Sequence, residues 1–334
     1  MLLERNQVGK REMLANIISR VDAKNTPVTS MMGRGESLSN MLFEWQMDDF
    51  ESPGEVAVED GVDVDTFSNA SPNRTRASMY AMKMRDSAMV SDLAENVSDV
   101  AGLSKGELSE SIMKKLKRLA RCIEAYICGD QDAQQGGAGV AHKSRGLGSW
   151  IQTAAQGVLP VAAAFRTPAA SITAAPTGGL TEANVNTVLA SIYGQTGTIT
   201  DFRFPCGPTL RQVFSTYTRS AGVGAGTTNR SYNTNFNGTV SNVVNIFEGD
   251  FGTLHVIPTL WNAVELAAFG SPAAGSNLCR GYALDPSLLK LHYKRLPRVK
   301  ELEDRGGGPR FLVDAILGWS VLNPLGLGKF NATT

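Results

Sequence analysis

Apolar and polar positions alternate in two stretches near the start of the chain. In residues 41–47, Phe43, Trp45 and Met47 alternate with more polar neighbours, and this period of two is typical of a half-buried strand. Residues 77–90 repeat the pattern, with methionines on one face and cations on the other. We therefore predict two strands joined by residues 51–76, a connection far longer than most loops.

The charges of this predicted hairpin are segregated. Residues 35–73 contain ten acids and neither Lys nor Arg, and cations follow at Arg74, Arg76, Lys83 and Arg85. Two hypotheses fit the pattern: a solvated acidic loop, or an arm that docks on a basic surface of another subunit. The ten acids are Glu36, Glu44, Asp48, Asp49, Glu51, Glu55, Glu59, Asp60, Asp63 and Asp65.

Residues 104–129 carry a clear helical pattern. Ser104 and Glu107 form a capping box, an apolar stripe repeats every three or four residues, and Gly129 terminates the helix. At about 1.5 Å per residue the helix is roughly 36 Å long. Its polar face is basic, and we expect that face to meet either the acidic arm or nucleic acid. Its cations are Lys114, Lys115, Lys117, Arg118 and Arg121.

The remaining patterns indicate an α+β protein. A short helix is predicted over residues 12–21, and we expect it to end at Thr26 and Pro27, since the residue before proline avoids helical geometry. Residues 29–40 have no periodicity and indicate an arm or linker. Further on, Thr181 caps a predicted helix, and a second is predicted over residues 208–219. A hairpin turning near residues 249–252 and two long C-terminal strands around a glycine turn complete the pattern.

Composition narrows the classes of function. The 334 residues have a net charge of zero and a hydrophobic content of 42%, which predicts one large mixed domain or two lobes. The chain has no excess of basic residues that would favour binding to nucleic acid. The chain has no signal-peptide core and no apolar run long enough to span a membrane. Cys122, Cys128, Cys206 and Cys279 lack CxxC spacing, which predicts free thiols in a reducing compartment.

Catalytic patterns are sparse. The three histidines are far apart and lack metal-binding partners, and a Lys at 329 is followed by Phe330 where a phosphate-binding loop needs Ser or Thr. Asp60, Asp63 and Asp65 could hold a divalent cation, but their spacing is not that of an EF-hand. We therefore predict no catalytic residues, no metal and no cofactor. The chain is expected to assemble rather than to catalyse a reaction.

The order of these elements resembles the Hong Kong 97-type major capsid proteins of tailed bacteriophages. The resemblance covers nearly the whole chain and departs at Asp314 and in the long loop at residues 221–238. The matching strings are Thr26 and Pro27 before FEWQ at residues 43–46, then VSDLAENV, KLKRLARCIEAYICG, EGDFGTLHVIP, YALDPSLLKL and VLNP.

This resemblance implies five regions. They are an N-terminal arm (residues 1–37), an extended loop or E-loop (38–91), the spine helix with a peripheral domain (92–180), an axial domain (181–276), and C-terminal strands that return to the peripheral domain (277–334).

The resemblance also implies a shell built from many copies of this chain. Hexamers and pentamers would form an icosahedral head around double-stranded DNA, with a portal and possible scaffolding or decoration proteins as further partners. The protein would assemble in the host cytoplasm, reside in the virion and contact no membrane. Alternatives are a decoration or tail-tube protein, or a hydrolase that uses the aspartates with a metal. The candidate interface residues are Phe43, Trp45, Met47, Glu51, Glu55, Glu59, Asp60, Asp63, Asp65, Arg74, Arg76, Lys114, Lys117 and Arg121.

Overall fold

A computed structural model describes most of the chain. The described residues are 26–50, 53–65, 67, 69, 71–95, 106–173, 180–217, 233–234, 240–241, 244–262 and 280–331. The predicted helix at residues 12–21 and the capping residue Ser104 lie outside them.

Helices and strands are both present, as the α+β prediction requires. The helices are α1 (Pro27–Met31), α2 (Asp92–Glu95), α3 (Gly106–Cys128), α4 (Leu147–Trp150), α5 (Glu182–Thr196) and α6 (Pro208–Tyr217). Short 3-10 turns occur at Ala163–Phe165, Ala169–Ser171, Pro286–Leu288 and Pro324–Gly326. The early strands are β1 (Gly33–Arg34), β2 (Leu42–Met47), β3 (Thr75–Tyr80), β4 (Met82–Met89), β5 (Ile172–Thr173), β6 (Thr200–Cys206), β7 (Asn233–Thr234) and β8 (Val240–Ser241). The later strands are β9 (Ile246–Gly249), β10 (Gly252–Pro258), β11 (Arg280–Ala283), β12 (Leu289–Leu302), β13 (Arg310–Val321) and β14 (Gly328–Asn331).

The first core lies between helix α3 and a sheet of early and late strands. The strand order of this sheet is β1-β12-β13-β4, which confirms the predicted pairing of N-terminal with C-terminal segments. The apolar stripe of α3 ends in Leu119, Ile123 and Ile127, all buried in the same cluster as Val313 and Leu317 of β13. The helix ends at Cys128, one residue before Gly129.

The second core is built around a six-stranded sheet of order β5-β14-β11-β6-β10-β9. Helix α5 begins where predicted, since the Thr181 hydroxyl accepts a hydrogen bond from the Asn184 amide. Its buried Val188 and Leu189 pack with Phe202 and Phe204 of β6. The hairpin of β9 and β10 forms at the predicted turn.

The described part of the C-terminal region, residues 280–331, divides between the two sheets. Strands β12 and β13 lie in the first sheet, whereas β11 and β14 pair with each other in the second. The cores are joined at Asp130, which lies just after α3. The Asp130 carboxylate is 2.6 Å from the Arg280 guanidinium and 3.3 Å from the Lys329 ammonium. Burial lowers the pKa of Lys329, so this contact with Asp130 offsets the cost of placing a cation between the cores.

Residues 29–40, for which an arm or linker is predicted, pack on the body of the protein. Helix α1 begins at Pro27 and buries Val28. Strand β1 pairs in parallel with β12, and the Gly35 amide donates a hydrogen bond to the Leu291 carbonyl. The segment has no apolar stripe because backbone pairing and separately placed buried side chains, those of Val28, Met32 and Leu38, hold it against the body.

The single strand predicted over residues 77–90 is two strands. Strand β3 pairs with β2, and β4 pairs with β13. Between them Ala81 is fully buried, and its amide donates to the Met41 carbonyl. The alternation predicted for Met82, Met84 and the cations between them is present in β4. The sequence does not show the break between β3 and β4, because the chain moves from one sheet to the other without any Gly or Pro.

Candidate assembly interface

The hairpin of β2 and β3 lies with one face against the body. The Phe43 ring is 4.6 Å from the His292 ring, and Trp45 is 5.7 Å from Trp150. Met47, at the end of β2, is buried. These three predicted interface residues therefore pack within their own chain, and the opposite face of the hairpin and its tip remain for a neighbour.

Two cations of the hairpin neutralise acids across the strand pair. Arg74 lies 2.7 Å from the Asp48 carboxylate, and Arg76 lies 3.3 Å from Glu44. The hydrogen bond from Arg74 lowers the pKa of Asp48. Since Arg74 and Arg76 have these partners within the hairpin, they stabilise its stem.

The tip of the hairpin, residues 53–65, is here called the acidic limb. It forms neither helix nor strand, and it turns at Gly61, whose φ of 85° is readily adopted by glycine. Its acids are exposed, and so are four valines. The acids are Glu55, Glu59, Asp60, Asp63 and Asp65, and the valines are Val56, Val58, Val62 and Val64. Glu51 lies outside the described residues.

Such exposure is unusual for valine. Val56 is 88% exposed and Val64 is 72% exposed, although valine is among the residues most often buried in folded proteins. A run of exposed β-branched residues is typical of surfaces that bind a partner. The acidic limb therefore combines a solubilising charge with an apolar contact surface.

The predicted cations of the spine helix lie on the outer side of α3. Lys114 is 3.8 Å from Glu110 one turn earlier, Lys117 is exposed, and Arg121 donates a hydrogen bond to the Lys117 carbonyl. Two further cations of this face contact β4, since Lys115 and Arg118 lie 2.9 Å and 3.0 Å from Asp86.

A basic groove, here called the spine groove, follows α3. It consists of two adjoining cavities of about 620 Å³ and about 380 Å³ that share Arg118 and Cys122. Lys114 and Arg121 line the first cavity, whereas Lys117 does not line either one. Among the residues that the structure describes, one acid, Asp86, lines the groove together with seven cations: Lys83, Arg85, Lys114, Lys115, Arg118, Arg121 and Lys143. Because the whole chain is neutral, this excess is local.

Glu124 anchors the start of the described chain to α3. Its carboxylate accepts hydrogen bonds from the Val28 and Thr29 amides, each at 2.7 Å, and from the Thr29 hydroxyl. Burial raises the pKa of Glu124. This carboxylate satisfies amides in the first turn of α1, which that short helix leaves without internal partners. It thereby holds α1 against α3.

The described residues contain no cluster of three or more His, Cys, Asp or Glu that could hold a metal ion. Within the same part of the chain, no helix is long and apolar enough to cross a membrane.

The comparison with protein families decides the identity of the fold. The family model described as SU10 major capsid protein matches residues 3–334. The chain belongs to this family. It is a major capsid protein of a tailed bacteriophage, and its place is in the virion. No curated protein matches its sequence.

Solved capsid structures share the fold of this capsid protein over nearly their full lengths. The capsid of a native GTA particle has a TM-score of 0.61 at 11% identity, with 99% of this chain and 98% of that chain covered. Mycobacterium phage Bobi has a TM-score of 0.61 at 10% identity, with coverage of 97% and 95%. The capsid of Cyanophage P-SCSP1u has a TM-score of 0.58 at 13% identity, with coverage of 99% and 96%. These similarities confirm the predicted fold class.

Sequence reasoning missed two parts of the candidate interface. The first is the set of limb valines, although the alternation of valine with acid in VAVEDGVDVD was a signal for them. The second is the far wall of the groove, formed by Lys83, Arg85 and Lys143. No local pattern connects those residues to α3, because the long-range pairing of β4 with β13 positions Lys83 and Arg85, and Lys143 lies in a separate segment that bridges Gln134.

Proposed function

We propose that this capsid protein assembles into hexamers and pentamers that close an icosahedral head around double-stranded DNA. The observation that carries the proposal is the acidic limb, a valine-bearing segment exposed to solvent on a chain with the capsid fold. Exposed apolar side chains on a projecting segment are explained when a neighbouring copy covers them. An interface between unlike surfaces of identical chains closes rings of defined size.

The five regions take the roles that the resemblance implied. The hairpin with the acidic limb is the E-loop, α3 is the spine helix, and the two cores are the peripheral and axial domains. A portal, a scaffolding protein and decoration proteins are further partners, and packaged DNA makes sequence-independent contacts with basic side chains. Assembly takes place in the cytoplasm of the host bacterium.

Electron microscopy of the purified protein tests the proposal. We expect closed shells that contain both hexameric and pentameric capsomers. A matched variant, in which a short Gly-Ser linker replaces residues 53–65, should keep the circular dichroism spectrum but form no shells. A protein that stays monomeric at high concentration, or that forms only tubes of one repeat, contradicts the proposal.

The protein is proposed to have no enzymatic activity. Asp60, Asp63 and Asp65 lie exposed on the acidic limb, where water competes with any cation. Native mass spectrometry with added divalent cations tests this point. One tightly bound ion that is lost on changing these aspartates to asparagine would instead favour a metal site.

A further inference from the structure

One wall is shared by the two cores, and it consists of the strand pair β11 and β14. Tyr282 pairs with Lys329 across these strands, and directly opposed residues of an antiparallel pair point to the same face. Tyr282 belongs to the first core, whereas the alternate residues Ala283 and Phe330 belong to the second. The face that bears Tyr282 and Lys329 is therefore turned towards the first core, together with Arg280 two residues earlier.

Polar contacts join this wall to the end of helix α3. The Asp130 carboxylate lies 2.6 Å from Arg280 and 3.3 Å from Lys329. The Tyr282 hydroxyl donates a hydrogen bond of 2.9 Å to the Cys128 carbonyl. Lys329 also donates to a backbone carbonyl of α4 at 3.1 Å. Four side chains form this contact, here called the polar joint: Asp130, Arg280, Tyr282 and Lys329.

The polar joint is buried, and its charges do not cancel. The side chains of Arg280 and Lys329 are 8% and 10% exposed, and among the described residues Asp130 is the one carboxylate paired with them. Apolar side chains of similar size often stabilise a protein as well as a buried ion pair does, because charges lose their hydration on burial. The joint is therefore better explained by the orientation that it imposes than by the stability that it adds.

The chain crosses between the cores next to the polar joint. Ala283 of β11 pairs with Gly328 of β14, and the residues on either side of this pair, Leu284 and Leu327, are buried in the first core. Two neighbouring crossings at the ends of strands are a suitable place for a hinge. Asp130 lies in neither crossing, and its contacts with the two cations tie both crossing strands to α3. These contacts therefore oppose rotation of one core against the other.

We propose that Asp130 is the positioning residue that fixes the angle between the two cores and, through that angle, the curvature of each capsomer. This rests on the proposed function, in which one chain builds both hexamers and pentamers. The angle at which identical chains meet sets the number of copies that close a ring. Without the contacts of Asp130 the folded chain samples a range of angles, and shells of mixed size result.

A distance across the polar joint measures this angle. Keto amino acids replace Lys117 on α3 and Ile199 before β6, which are both exposed, and they carry spin labels without any change to the native thiols. The labelled chains are diluted with unlabelled chains, so that double electron–electron resonance gives the distance distribution within one molecule. We expect a narrow distribution when Asp130 is present and one at least twofold broader with Asp130→Asn.

Asp132 supplies the matched control. Its carboxylate lies 2.8 Å from the buried Arg145 and accepts hydrogen bonds from the Gly157 and Val158 amides, and none of these partners belongs to β11 or β14. Asp132→Asn should lower the melting temperature and leave the distance distribution unchanged. Equal broadening by the two substitutions, or an unchanged distribution with Asp130→Asn, would overturn the positioning role.

A second variant carries the same test if Asp130→Asn does not fold. Lys329→Met removes one contact of the Asp130 carboxylate and keeps its pairing with Arg280. It should also broaden the distance distribution, and a distribution equal to that of the unsubstituted chain would count against the proposal.

Electron microscopy tests the consequence for curvature. We expect Asp130→Asn to reduce the fraction of shells with the unmodified diameter by at least tenfold, in favour of several diameters and open sheets, whereas Asp132→Asn should keep the diameter. Shells of unchanged diameter in spite of a broadened distance distribution would overturn the link to curvature. If the unmodified protein forms no shells, the proposed function fails, and the distance measurement still decides whether Asp130 positions the cores.

Discussion

At the scale of single residues, one buried carboxylate decides where the N-terminal segment joins the body. Glu124 is fully buried and accepts three hydrogen bonds from Val28 and Thr29. We expect Glu124→Ala to lower the free energy of unfolding by about 2 kcal/mol or more, because buried amides left without an acceptor cost about 1 to 3 kcal/mol each. Denaturant unfolding measures the loss.

A second glutamate of α3 is the control. Glu107 lies in the first turn of the helix, and Glu107→Ala should cost less than about 1 kcal/mol, the usual size of a favourable charge at a helix N-terminus. Thr29→Val should give an intermediate loss, since it removes only the hydroxyl donor. Equal effects of the two glutamate substitutions would show that Glu124 does not anchor α1.

A second residue predicts how stability depends on pH. The His292 ring lies 2.9 Å from both the Glu36 carbonyl and the Ser320 hydroxyl, and burial lowers the pKa of His292 below its ordinary value of 6.5. Its neighbours Glu36 and Lys290 act on that pKa in opposite directions. The folded chain therefore binds this proton less readily than the unfolded chain. The contribution to stability is complete above pH 6.5 and is lost as the pH falls towards the lowered pKa of the folded state.

Thermal unfolding across that pH interval tests the prediction. The melting temperature should fall as the pH decreases below 6.5, and His292→Gln should flatten this part of the curve while lowering its plateau. The same pH slope in the His292→Gln variant would assign the dependence to other groups.

At the scale of elements, the sequence predicts what a local pattern can encode. The stripe of α3, the Thr181 cap of α5 and the turn between β9 and β10 all appear in the structure. The separation of β3 from β4 and the packing of residues 27–40 do not follow from any local pattern. They depend on which distant strand each segment meets, β13 for β4 and β12 for β1.

The same limit applies to the candidate interface. The acids of the limb and the cations of α3 can be recognised in the sequence, since both form runs of like charge. The inward orientation of Phe43 and Trp45 cannot be predicted in this way. Alternation shows that one face of a strand is buried, but not whether its own chain or a neighbour buries it. His292 and Trp150, which cover that face, are more than a hundred residues away.

The contact between β4 and α3 yields a prediction at this scale. Asp86 bridges Lys115 and Arg118, and its side chain is 16% exposed. Asp86→Asn should lower the free energy of unfolding by about 1 kcal/mol, the upper range for partly exposed ion pairs. The loss should shrink in about 1 M salt, where screening is strong.

The control for this prediction is Asp201→Asn at an exposed position near the start of β6, which should change stability by less than about 0.5 kcal/mol. An Asp86→Asn effect that is absent, or that does not respond to salt, would mean that the ion pairs do not hold β4 to the helix.

At the scale of the whole molecule, a neutral chain separates its charges into an acidic limb and a basic groove. An exposed ion pair between copies would contribute less than about 1 kcal/mol, so one such contact would be weak. In the proposed shell, many such contacts would add their small free energies without any single strong interaction. We therefore expect salt to weaken the proposed assembly.

The most direct test of this account is a cryo-electron microscopy reconstruction of shells assembled from the purified protein. We predict icosahedral symmetry with hexamers and pentamers, and density for residues 53–65 in contact with an adjacent subunit. Shells in which residues 53–65 contact no neighbouring subunit, or particles without closed icosahedral symmetry, would contradict the account.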